Sequence, residues 1–274
     1  MKNFTQRTIT GLLYVAVIII SLYLHPFLFM SLLMIIMILA MIEFYRLITT
    51  ENIKPQVLPG IVTGIIILLT SCVYAAGFIH TRILFLPAIL VFLLFFIELF
   101  RHQGILAGNL AFTILGLIYI TFPLSILILL GYPTSIVEGF SLEIILGYLI
   151  LLWLYDTGAY IIGSFAGRHK IMENISPGKS WEGFLGGLII SIGVAFAVAE
   201  FFPILDRTDW MIVALITAVT GTLGDFVESG LKRNAGVKDS GKILPGHGGM
   251  LDRIDSILLS VPFVYIYLLI RQYL

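Results

Sequence analysis

An aspartate seven residues ahead of a lysine, and two more aspartates opening the next apolar run, frame the most reactive stretch of this chain. It reads Gly224-Asp225-Phe226-Val227-Glu228-Ser229-Gly230-Leu231-Lys232-Arg233, then Lys238-Asp239-Ser240, then Pro245-Gly246-His247-Gly248-Gly249, then Asp252-Arg253-Ile254-Asp255. Asp225, Glu228, Ser229 and Lys232 stand at i, i+3, i+4 and i+7, so a helix carries them as one polar stripe. Asp252, Asp255 and Ser256 repeat the geometry at the start of the next helix, which lets the carboxylates of two helices meet across a shared cavity. Aspartate oxygens hold Mg²⁺ and leave coordination sites for phosphate and water. Gly246, Gly248 and Gly249 let the backbone approach a ligand and turn its N–H groups towards an anion. Lys232, Arg233, Lys238, Lys242 and Arg253 supply charge to oppose phosphoryl oxygens.

Each piece alone has a plain structural explanation. His247 in a glycine loop suits a turn, Asp239 suits a pair with Lys238 or Lys242, and Arg253 suits a snorkelling interface residue. Together, in a chain that otherwise excludes charge, they point to metal-assisted phosphoryl or nucleotidyl transfer, where positioning and charge neutralisation do most of the catalysis. No Ser-His-Asp triad or zinc-type His/Cys cluster is evident, and no residue stands out as a general base.

Two upstream segments extend the site. Asp156, Tyr160 and Gly163 share a helix face at i, i+4 and i+7 inside an apolar stretch, where a carboxylate costs about 2.5–3.5 kcal/mol to insert and so faces a polar cavity or a neighbouring helix. The loop from Arg168-His169-Lys170 through Ser176-Pro177-Gly178-Lys179-Ser180-Trp181-Glu182-Gly183 offers basic groups and hydroxyls to anions. It is not a phosphate-binding P-loop, because Glu173 stands where that motif needs its first glycine. Ser180 with Glu182 marks a helix start, and Gly183 with Gly187 allows close helix packing.

The elements that carry these residues must lie in a bilayer. Of 274 residues, 59% are hydrophobic and 12% charged, against about 25% charged in soluble domains. Nine apolar runs are long enough for spanning helices: 7–24, 27–48, 57–78, 82–101, 107–131, 143–165, 183–203, 210–233 and 253–272. The expected class is therefore an all-α polytopic membrane protein. The first run has no small-residue cleavage site after it and reads as a span. His25-Pro26 makes a tight hairpin of the first two. With the N-terminus cytoplasmic, 13 basic residues fall inside and three, Arg82, Arg207 and Arg271, outside, a strong positive-inside bias. Residues 1–140 read as an N-terminal set of nearly uncharged helices, and 141–274 as the catalytic set with cytoplasmic loops. In the first set, Glu43 with Arg46 and Glu98 with Arg101 are spaced as ion pairs at helix ends. Acids and bases are equal in number, 16 each, so net charge says nothing about partners; no nucleic-acid partner is expected, and Cys72, the only cysteine, gives no disulfide framework.

The stretch Ser229-Gly-Leu-Lys232-Arg233, Lys238-Asp239, Pro245-Gly-His247-Gly248-Gly249-Met-Leu-Asp252-Arg253-Ile-Asp255 resembles the signature of the phosphatidate cytidylyltransferase (CDP-diacylglycerol synthase) family without a gap. Asp156-Thr-Gly-Ala-Tyr160 and Ser176-Pro-Gly-Lys179-Ser180-Trp-Glu182-Gly183 look like further family blocks, with Ser180 where threonine is frequent and Ala166 where phenylalanine is usual. The close match covers roughly 150–262. The resemblance implies that CTP and phosphatidate give CDP-diacylglycerol and pyrophosphate with Mg²⁺, at the cytoplasmic side of the cell membrane. It implies catalytic roles for Asp225, Lys232, Arg233, Lys238, Asp239, Asp252 and Asp255, with Asp225 and Asp252 as metal ligands. Asp156, Lys179, Ser180, Glu182, Ser229, His247, Gly248, Gly249 and Arg253 would bind substrate. A second, monovalent cation and a homodimer, the latter suggested by Gly-rich helix faces, stay open. So do a CTP-dependent lipid or polyprenol kinase and a cytidylyltransferase for another lipid phosphate. A secondary transporter would also bury Asp and Lys, but a glycine loop at one face rather than the midplane argues against it.

Overall fold

The computed structural model describes residues 2–271 except 79, 134, 135, 137, 138, 242 and 244–247; for 2–9, 81 and 84 it describes the backbone alone. His247, Lys242, Pro245 and Gly246 of the glycine loop thus lie outside the described residues. A helix forms at each of the nine apolar runs: α1 Lys2–Leu24, α2 Pro26–Ile48, α3 Val57–Ala75, α4 Leu86–Arg101, α5 Leu106–Gly116 continuing into α6 Phe122–Leu130, α7 Leu142–Ala166, α8 Trp181–Phe201, α9 Arg207–Asn234 and α10 Leu251–Arg271. Among the described residues there is no strand, only an isolated bridge between Lys170 and Ser180. Among the described residues, seven helical stretches are long and apolar enough to cross a membrane, against nine spans expected, and Thr10–Leu24 is a shorter apolar one. The chain is an all-α, multi-pass membrane protein.

Helix ends depart from the apolar runs where backbone chemistry overrides hydropathy. His25 caps α2 through its ring, and Pro26 starts the helix where no N–H is needed. The run expected from 82 opens as a 3₁₀ turn, Thr81–Phe85, before α4 begins at Leu86 with Pro87 in its first turn. Between α5 and α6 the helix widens into a π turn, Leu117–Thr121, just ahead of Pro123, which cannot donate to the preceding turn.

The chain forms two compact units, Met1–Leu129 with Asn234–Ile254, and Leu130–Arg233 with Asp255–Leu274. In the first, α2 buries Phe29, Met37, Met41, Phe44 and Tyr45. The backbones of Gly60 and Gly116 press on the Tyr45 ring, whose hydroxyl donates to the Thr113 carbonyl at 2.9 Å. Glu98 is buried but fully partnered, accepting from Gln56 Nε2, Asn109 Nδ2 and Arg101, which offsets the cost of sinking its charge. The expected Glu98–Arg101 pair therefore forms. Glu43 does not pair with Arg46; its carboxylate turns into the protein and accepts from Ser240 and Leu251 instead.

In the second unit, α7 and α8 pack backbone against backbone. A Cβ on Gly187 would lie 2.8 Å from the Tyr155 carbonyl and 2.9 Å from Ala159 N, and one on Gly183 would lie 2.8 Å from the Ala159 carbonyl. Lipid gives no hydrophobic drive between helices, so such close approach carries the association. The glycines that raise the expectation of a homodimer are thus among those that seat α8 on α7. Gly187→Val should lower the melting temperature in detergent by roughly 3–10 °C through overpacking. Gly193→Val, on the same helix with open space around it, should melt like the parent; equal melting of both variants would contradict this packing.

Candidate active site

Three local devices aim the second unit's polar side chains at one place. First, the loop leaving α7 folds back on itself. Trp181 N donates to the His169 carbonyl at 2.9 Å and Ile171 N to the Lys179 carbonyl at 3.2 Å. Ser180 caps α8 by accepting from Gly183 N at 3.2 Å. The Glu182 carboxylate accepts the amides of Arg168 and His169, and His169 Nδ1 lies 2.6 Å from Glu182 Oε1. Closed in this way, the loop presents Lys179. Second, α9 and α10 touch where they lack bulk: a Cβ on Gly224 would sit 2.5 Å from the Asp255 carbonyl, and one on Gly221 would sit 3.5 Å from the Ser256 Cβ. Third, the Tyr155 hydroxyl and Thr222 Oγ1 lie 2.5 Å apart, tying α7 to α9.

These devices converge on a cavity of about 350 Å³, within the size range of small-molecule sites. Asp156, Lys179, Ser180 and Asp225 line it, with Tyr155, Tyr160 and Thr222. Asp225 Oδ2 pairs with Lys179 Nζ, and its Oδ1 accepts from Ser256 Oγ at 2.5 Å. The Lys179 ammonium also stands 5.1 Å from the centre of the Phe226 ring, a cation–π contact. Two carboxylates and one ammonium on a largely apolar wall can hold an anion next to a cation. Of the other residues anticipated here, Lys232 pairs with buried Glu228 one turn along α9, and Ser229 is half-buried beside it. Arg233 reaches the Ile175 carbonyl at 3.4 Å, at the edge of the loop. Glu182 and Arg233 do not line the cavity. Asp255 accepts its neighbour Ser256 N at 2.9 Å.

The first unit holds the rest of the motif as a turn closed on Asp252. Asp252 Oδ2 accepts from Gly249 N at 2.7 Å and Ser240 N at 3.1 Å, and Ser240 Oγ stands 3.0 Å away. Gly248 has φ of +81° and no room for a Cβ, which would meet Asp252 Oδ2 at 2.7 Å; both constraints select glycine. Lys238 and Asp239 are exposed at the entry to this turn, and Arg253 is exposed at its exit. The expected metal pair thus falls with Asp225 in one unit and Asp252 in the other. Thr222 and Tyr155 are site residues that the sequence reading does not single out, and Ser256, read there on the polar face of the last helix, gains its partner Asp225. Thr222 at i−3 from Asp225 extends the polar stripe by one turn, and that spacing is the signal that could have found it.

Among the described residues no group of three or more His, Cys, Asp or Glu could hold a metal unaided. Two aspartates and neighbouring hydroxyls on one cavity still fit Mg²⁺, which keeps several waters and takes substrate phosphates as ligands.

Comparison with known proteins gives one answer. A model of the cytidylyltransferase family matches residues 5–271. A phosphatidate cytidylyltransferase of Staphylococcus haemolyticus (strain JCSC1435) is 37% identical over 235 residues, 85% of this chain and 87% of the relative. A phosphatidate cytidylyltransferase of Staphylococcus aureus (strain COL) is 48% identical over 131 residues, 47% of this chain and 50% of the relative. A Staphylococcus epidermidis protein of the same name (strain ATCC 12228 / FDA PCI 1200) matches to the same extent.

Proposed function

The chain belongs to the cytidylyltransferase family, a family of nucleotidyltransferases, and from that premise we propose that it transfers the cytidylyl group of CTP to phosphatidate, with its active site at the cytoplasmic face of the membrane. The observation that carries this reading beyond the family is the cavity in which Lys179 and Asp225 face one another beside Asp156. In the reaction a phosphatidate oxygen attacks the α-phosphorus of CTP. One P–O bond forms, the α–β phosphoanhydride breaks, and pyrophosphate leaves with the electron pair. The attacking phosphate is already anionic near neutral pH, so no strong general base is required.

The chain's own residues then have distinct tasks. Lys179 exchanges its Asp225 partner for a substrate phosphate, which frees the Asp225 carboxylate, the group that would hold a divalent cation. Ser256 and Thr222 orient the α9 groups, and the largely apolar wall keeps water from competing with the lipid as nucleophile. Mg²⁺, when bound, neutralises phosphate charge and eases pyrophosphate departure. Asp225 is the ligand the cavity geometry supports best, and Asp156 is the second carboxylate on the same wall. Arg233, exposed at the end of α9 and bonded to the loop at the Ile175 carbonyl, would steer polyphosphate towards that loop, while Lys232 balances the buried Glu228.

Purified protein in detergent, given CTP and phosphatidate with Mg²⁺, should release pyrophosphate and one equivalent of CDP-diacylglycerol. Release of CDP with a phosphorylated lipid would establish a kinase instead and overturn the proposal.

A further inference from the structure

We propose that Glu43, in the N-terminal helix α2, is a positioning residue for the turn that carries Gly248, Gly249 and Asp252. Sequence spacing places Glu43 beside Arg46, and nothing in the motif involves it. In the structure its side chain is buried, with the residue 1% exposed. Oε2 accepts from Ser240 Oγ at 3.0 Å and from Leu251 N at 2.9 Å, so one carboxylate oxygen ties both ends of the segment from 240 to 251. The fit is close on each side. A Cβ on Gly241 would collide with Oε1, and a Cβ on Gly249 would collide with Oε2 and Ser240 Oγ. These two glycines leave room for the Glu43 carboxylate, and the glutamate in return fixes where their backbone runs.

The link continues to Asp252. Ser240 Oγ stands 3.0 Å from Glu43 Oε2 and 3.0 Å from Asp252 Oδ2. A hydroxyl has one proton and so donates to one of the two carboxylates at a time. Glu43 and Asp252 therefore share Ser240 as a common donor, and the buried carboxylate sets which way that hydroxyl points. A hydrogen bond to a buried charged acceptor is among the stronger contacts in a protein, and losing it leaves its partners unsatisfied. Glu43 thus acts on the motif through the turn, without touching substrate.

The activity arm of the test rests on the cytidylyltransferase reading, so a second readout is kept independent of it. Three full-length variants are purified in detergent: Glu43→Gln, which keeps the volume, the milder Ser240→Ala, and the double variant. With CTP and phosphatidate, Glu43→Gln should lower kcat at least 30-fold while melting within a few degrees of the parent. The double variant should be no worse than the poorer single one, because both break one link. Trypsin cleavage after Lys238, at the exposed entry to the turn, should become at least tenfold faster in Glu43→Gln. If the parent makes no CDP-diacylglycerol, the functional reading fails and the trypsin rate alone decides this proposal. An unchanged trypsin rate, kcat within twofold of the parent, or losses in the two single variants that multiply in the double one would each overturn it.

Discussion

Asp225→Asn should lower turnover of CTP and phosphatidate by at least about 10³-fold while the protein keeps its fold. Asparagine preserves most of what the aspartate does sterically. It has the same shape, and its amide oxygen still accepts from Ser256 Oγ, which approaches Asp225 at 2.5 Å. The crossing of α9 and α10 depends on Gly221 and Gly224, not on this charge. What disappears is the anion that pairs with Lys179 and that we assign to a divalent cation. The Asp225 side chain is 19% exposed and that of Lys179 28%, so their mutual attraction is partly screened and contributes modestly to stability. Melting temperature and kcat should therefore part company, the first nearly constant and the second lost. Raising Mg²⁺ should recover little, because the ligand itself has changed type. Activity within tenfold of the parent would remove Asp225 from the metal site.

Much of this arrangement is legible in the sequence, and the reason is periodic. Asp156 with Tyr160, and Asp225 with Lys232, stand out because polar residues at helical spacing in an apolar run have no use facing lipid. Gly183 and Gly187 announce a close helix contact for a similar reason. Glu43 departs from its expected pairing because local spacing shows only the opposite charge three residues away and cannot see a contact with Ser240 nearly 200 positions on. The pairing of Lys179 with Asp225 was equally out of reach: each was anticipated in the site, but nothing in the spacing of 46 residues says that a loop amine will enter a cavity lined by α9. Glu182 shows the converse limit. Its place in a family block suggests substrate contact, whereas its carboxylate is occupied by two amides and the His169 ring. A charged residue in a motif can serve by shaping the loop that presents its neighbour.

Lys179→Gln provides the sharpest discrimination, because the apparent affinity for Mg²⁺ should rise while turnover falls. In the parent the ammonium neutralises Asp225 in a cavity that Asp156 also lines. Removing it leaves two carboxylates facing the same space without that counter-ion, and mutual repulsion makes a divalent cation more welcome there. The concentration of Mg²⁺ giving half-maximal rate should therefore fall. Turnover should fall too, by about 10²–10³-fold in kcat/KM for CTP, since a group opposing developing phosphoryl charge has gone. Lys179→Arg should restore only part of the loss. The guanidinium keeps the charge and the stacking on Phe226, but its planar fork does not reproduce a compact ammonium within a closed loop. A lysine that merely braced the loop against α9 would behave differently on removal: the cavity would loosen, Mg²⁺ would bind more weakly, and turnover and metal affinity would decline together. A Mg²⁺ titration of the CTP-dependent rate separates the two cases, and a rise in the half-maximal concentration would withdraw Lys179 from the phosphate site.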